Sequence, residues 1–97
     1  MRRKDKTHEI IKEQIRKQEG IILRYRLIKK KSLKVASYLM PLYSIEVALI
    51  KDGEITKNSV ENIFSDVGKA LVFYEQLVES LASPADLPYI IEDRILN

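Results

Sequence analysis

Apolar residues recur along this chain at spacings of three and four, and the longest such runs predict helices. In residues 5–30, Ile11, Ile15, Gln18, Ile22 and Tyr25 follow one another at intervals of 4, 3, 4 and 3, the spacing of a heptad seam. Lys12, Arg16, Glu19, Arg26 and Lys30 fall off that seam. A helix of about 26 residues would be about 39 Å long. That exceeds what a 97-residue domain needs, so the seam is expected to pack against a partner, foremost a second copy of the chain.

Residues 33–51 carry two apolar rows, Ala36, Leu39 or Met40, Tyr43, Val47, Ile50 and Val35, Leu42, Ile45, Leu49, with Ser32 as a cap. This predicts a central helix that is apolar over most of its circumference and is kinked or split at Pro41. Glu46 lies among apolar neighbours and is expected to point outward. Were it buried it would need a cation, and residues 5–30 are rich in them.

Residues 59–82 hold the cleanest stripe: Val60, Ile63, Phe64, Val67, Ala70, Leu71, Tyr74, Leu77, Val78 and Leu81, with Asn58 and Glu61 spaced as a capping box. A short fourth helix is predicted over 87–95, opened by Asp86 and Pro88, and too short to stand without docking.

Two β readings compete. Ile21 to Leu27 partly alternates and could form a strand, but lacks an evident sheet partner. Asp52-Gly53 is a strong hairpin signal, although Val47-Ala48-Leu49-Ile50 before it does not alternate; read as a helix end, Gly53 closes the second helix. The pattern as a whole points to an all-α fold: a single domain over residues 1–97, a small antiparallel bundle of three long helices plus a short C-terminal helix, with an elongated N-terminal one.

Charge sharpens this picture. Residues 1–34 hold 13 Lys/Arg against 4 Asp/Glu, a net of +9, whereas 35–97 hold 4 against 10, a net of −6. The overall +3 therefore hides a basic arm on an acidic body. Glu75 and Glu79, like charges four apart, are expected to lie against a basic surface.

The candidate chemistry is sparse. There is no Cys, a single His at position 8, and Gly only at 20, 53 and 68. Disulfides, thiolate sites, glycine-rich phosphate loops and activated serines have no basis here. The Asp52–Glu54 stretch lacks the spacing of a calcium loop. No metal, cofactor, small-molecule substrate or enzymatic activity is expected. No apolar run reaches 18 residues, so no membrane span is expected, and the default compartment is the cytoplasm. Few Cys and Gln with abundant Ile, Lys and Glu lean towards a thermophilic source.

Two functional expectations follow. The first is a non-enzymatic assembly or protein-interaction subunit, self-associating as a homodimer or homo-oligomer through Ile11, Ile15, Gln18, Ile22 and Tyr25. The second is a nucleic-acid-binding accessory protein using Lys12, Arg16, Arg24, Arg26, Lys30, Lys31 and Lys34. They separate on the cations. Assembly predicts that Arg16, Arg24, Arg26 and Lys30 meet Glu75, Glu79 or partner acids; nucleic-acid binding predicts that they stay open and contiguous.

Overall fold

The computed structural model describes residues 8–35 and 38–93, with side chains described outside 31–40. Four strands, β1 (His8–Gln18), β2 (Ile21–Val35), β3 (Tyr38–Lys51) and β4 (Glu54–Phe64), form one antiparallel sheet in the order β1-β2-β3-β4. Two helices follow, α1 (Val67–Glu79) and the short α2 (Leu87–Ile91).

This overturns the all-α bundle. The expected basic helix over 5–30 is the β1–β2 hairpin, the expected helix over 33–51 is the end of β2 with β3, and the stripe over 59–82 divides into the end of β4 and α1. Turn geometry explains the outcome. Gln18 pairs with Ile21 across a two-residue loop in which Gly20 takes φ +81°, and Lys51 pairs with Glu54 across Asp52 (φ 53°) and Gly53 (φ 81°). Positive φ at both central residues makes the Asp52-Gly53 turn a type I′ hairpin turn, whose twist matches that of its strands, whereas in the first turn only Gly20 is left-handed. Each hairpin supplies the neighbour that the strand reading of residues 21–27 lacked.

The run Val47-Ala48-Leu49-Ile50 fails to alternate because β3 is an inner strand. Val47 is sealed under α1, and Ala48, on the other face, is also 0% exposed, flanked by Arg24 and Lys57. Pro41 neither kinks nor splits a helix. It lies in β3 opposite the register shift between Lys30 and Leu33, and before the paired stretch with β4 begins at Tyr43, where its missing N–H costs no ladder bond.

Gly53 gives a direct test of the hairpin. A Cβ there would meet nothing within 4 Å, so Gly53→Val carries only the conformational cost of a left-handed residue. That cost is about 1–2 kcal/mol, and a fall in Tm of several degrees on a melting curve is expected. An unchanged Tm would contradict the turn.

Successive residues point to opposite sheet faces. Leu23, Tyr25 and Leu27 on β2 and Tyr43, Ile45 and Val47 on β3 form the buried face, with Val60 and Phe64 of β4 packed against it. Helix α1 lies across this face and buries Ala70, Phe73, Tyr74, Leu77 and Val78 on it. Its start is set by Asp66, whose carboxylate accepts the Gly68 N–H at 2.8 Å, and not by the Asn58–Glu61 box, which lies inside β4. Asp86 accepts from Ser83 N and Oγ (2.9 and 3.1 Å) and makes no side-chain cap, while Leu87 of α2 docks in the core. Two tyrosines tie the layers together: Tyr74 Oη donates to Tyr25 O (3.1 Å), and Tyr25 Oη donates to Ala82 O (2.8 Å) beyond the end of α1.

Candidate functional site

Among the described residues both helices pack on one side of the sheet, and no element packs on the other. The result is a thin slab of 49 × 42 × 17 Å with one sheet face uncovered.

The register orders that face into rows across the strands. One row is Lys17, Ile22, Ile50, Ile55; the next is Ile15, Arg24, Ala48, Lys57; the next is Glu13, Arg26, Glu46, Ser59. Ile10, Ile28 and Ser44 follow. Ser44 is buried by the irregularity beside it, where its Oγ accepts the N–H of Asn62, a residue held at φ 56°. The isoleucines on β1 and β4 stand well out, with Ile10 and Ile15 at 51% and Ile55 at 57% exposure.

A charged belt crosses the middle. Arg26 Nε donates to Glu13 Oε2 at 2.9 Å, and its guanidinium lies 3.7 Å from Glu46 Oε1. Arg24 and Lys57 approach the same Glu46 carboxylate at 3.9 and 3.8 Å. These three approaches are ion-pair distances but too long for good hydrogen bonds. Glu46 Oε1 and Arg24 Nε are accordingly buried without a hydrogen-bond partner. Polar atoms in that state cost about 1–3 kcal/mol unless something else reaches them. Further along, Lys30 Nζ donates to Glu61 Oε1 at 2.9 Å. That hydrogen bond, followed by the charge of Lys30 itself, holds the Glu61 carboxyl below its ordinary range.

The expected self-association seam does not survive as one stripe. Ile15 and Ile22 lie on the uncovered face, Tyr25 is buried under α1, Gln18 is exposed beside the first turn, and Ile11 is the extra residue where the β1–β2 register shifts. A spacing of 4, 3, 4, 3 selects one side of a helix but alternates between the two sides of a strand.

The expected nucleic-acid cations are dispersed as well. Lys12 points to the helix side, where it pairs with Glu75 and sits 5.9 Å from the centre of the Tyr74 ring. Arg16 donates to Ile15 O at 3.2 Å. Arg24, Arg26 and Lys30 share the uncovered face with Glu13, Glu46 and Glu61. The side chains of Lys31 and Lys34 lie outside the described residues.

Glu13, Ile28, Ile50, Ile55 and Lys57, none of them among the expected site residues, complete this face. Their signal was period two: Ile22, Arg24, Arg26 and Ile28 on one strand, and Ser44, Glu46, Ala48 and Ile50 on the next.

An open hollow beside α1 is lined by Phe64, Asp66, Lys69, Val72, Phe73 and Gln76 and holds no nucleophile with a base beside it. Among the described residues no group of three or more His, Cys, Asp or Glu is placed to hold a metal ion, and no helix is long and apolar enough to cross a membrane.

Comparison with known proteins adds a family without an assigned role. A family model described as "Family of unknown function (DUF6514)" matches residues 5–97. No curated protein and no solved structure matches the chain.

Proposed function

Because the chain belongs to this family of unknown function (DUF6514), whose description names no activity, we propose a role from the geometry alone: a non-enzymatic protein-interaction subunit that binds through its uncovered sheet face. One observation carries the reading. Isoleucines at 10, 15 and 55, each more than half exposed, stand on the same face as the half-buried Ile22, Ile28 and Ile50, and no described element covers them. A sheet normally buries one face and solvates the other with polar residues. Here the second face carries isoleucines on both sides of its charged belt, beside Lys17 at one end and the Lys30–Glu61 pair at the other, more apolar surface than a solvated face needs.

Strand addition at the edges is the less favoured route. The β1 edge carries Glu9, Lys12, Glu13, Arg16 and Lys17 and a register shift, devices that oppose pairing with another strand.

The nucleic-acid alternative draws less support. Lys12, Arg24, Arg26 and Lys30, four of the seven expected cations, each have a carboxylate of their own chain at ion-pair distance, which offsets their attraction for phosphates. The tyrosines of β2 and β3 at 25 and 43 are buried under α1, away from the face where bases would stack.

The test is site-directed photocrosslinking in the native cell. A photoreactive residue at position 15 or 55 is expected to capture the same protein from both sites, while one at Val72, 60% exposed on the outer side of α1, captures none of it. No protein adduct from positions 15 and 55 removes the reading. Salt-dependent binding of short DNA or RNA, lost when Arg24 and Arg26 are neutralised, would replace it with the alternative.

A further inference from the structure

We propose that the occupant of the uncovered face is a second copy of this chain, the two sheets stacked face to face about a two-fold axis that runs along the strands between β2 and β3. This rests on the reading that the face is an interaction surface, and it names the partner. Such an axis keeps each row in place and exchanges β2 with β3. Each residue of β2 then lies over the residue of the second copy that is already its cross-strand neighbour within one chain.

The register makes those meetings complementary row by row. Arg26 pairs with Glu46 within the sheet, so Arg26 of one copy lies over Glu46 of the other, and the belt becomes a square of alternating charges. Arg24 pairs with Ala48, so its long side chain lies over the smallest side chain on the face. Ile22 pairs with Ile50, so the two copies bring four isoleucines together. At the margins Ile15 lies over the aliphatic stem of Lys57, since these residues end the same row. Turning the copy about an axis across the strands would instead set β2 over β2 and bring arginine against arginine. Charge therefore selects one of the two face-to-face arrangements.

The stacking also brings opposite charge to a carboxylate that its own chain serves only at long range. The Arg26 guanidinium of the second copy arrives over the Glu46 carboxylate, whose cations within the chain stand 3.7–3.9 Å away. Removing these charges from water is costly, and opposite charge from two directions offsets that cost. Four strands about 4.8 Å apart, used over some ten residues, present roughly 600 Å² per copy. The total, about 1,200 Å², reaches the lower end of stable specific interfaces, and aligned sheets are a common packing.

The test uses the full chain in solution. Light scattering is expected to give twice the 11.3 kDa chain mass at high concentration, with dissociation on dilution. Arg26→Glu alone and Glu46→Arg alone are each expected to be monomeric, and their mixture to form a one-to-one heterodimer. Charges paired only within a chain would not restore association on mixing. Because those variants lose a contact inside the sheet, Ile15→Lys is the companion: position 15 is half exposed, so the circular dichroism spectrum stays native while Kd rises at least tenfold. The proposal is overturned by a wild-type chain that is monomeric throughout, by a dimer insensitive to Ile15→Lys, or by folded single variants that do not associate when mixed. If the chain is monomeric while positions 15 and 55 still capture another protein in the cell, self-pairing fails and the interaction reading stands.

Discussion

Tyr74→Ala is expected to leave most of the chain unfolded at 25 °C. Tyr74 is 0% exposed and sits on the face of α1 that lies on the sheet. Its hydroxyl donates to Tyr25 O, and the Lys12 ammonium lies near its ring. Truncating a buried aromatic costs about 3–5 kcal/mol through lost transfer energy and the cavity left behind. The lost hydrogen bond adds about 1 kcal/mol. A chain of this length holds about 5–15 kcal/mol in all, and one with a single helix over a sheet belongs towards the lower end. Tyr74→Phe keeps the ring and loses only the hydroxyl, so a penalty of about 1–2 kcal/mol is expected. Urea titration followed by circular dichroism separates the two variants. Equal, small losses would mean that α1 does not rest on β2 through this side chain.

The same pair of tyrosines makes the fold sensitive to alkali. Burial pushes both phenols up to about 12, with Glu75 and Glu13 adding to the rise at Tyr74 and the charge of Asp86 adding to it at Tyr25 against the opposing effect of Arg16. Their ordinary value is 10.0, so the folded chain keeps both protons where the unfolded chain has released them. Stability from this source is complete below pH 10, falls as pH rises towards 12, and is lost above it. A shift of two pH units corresponds to about 2–3 kcal/mol for each group, comparable to much of the net stability. Unfolding free energy measured at about pH 9 and about pH 12 should fall by several kcal/mol, and Tyr74→Phe should fall by about half as much. Phenolate absorbance should rise together with loss of structure. Titration of both phenols with the structure intact would show that they are accessible to water.

Much of the C-terminal third could be read directly. The stripe from Ala70 through Val78 marks the buried face of α1, and the expectation that a short helix near Leu87 must dock is met in the core. The basic segment was misread for a physical reason. Ile11, Ile15, Ile22 and Tyr25 satisfy a helical interval, yet Ile21 to Leu27 also satisfies an alternating one, and short apolar runs cannot separate the two periods. The deciding signals were the glycines at 20 and 53. In a helix they register as a mild weakness and a cap; in a hairpin they are the turns that align strands. Glu46 shows the same division. Its need for a cation was visible in its apolar neighbourhood, but Arg26 is twenty positions away and became its neighbour only through the β2–β3 register.

The sequence alone determined the charge balance of the two halves, the absence of cysteine chemistry and the amphipathic face of α1, because these are properties of residue type and local periodicity. Only the tertiary structure decided that the basic segment is a hairpin, that Tyr25 is interior while Arg24 and Arg26 lie on the uncovered face, and that a row of isoleucines flanks a charged belt. Strand pairing is cooperative over residues far apart in the chain, and a shift of one position would send every side chain to the other face.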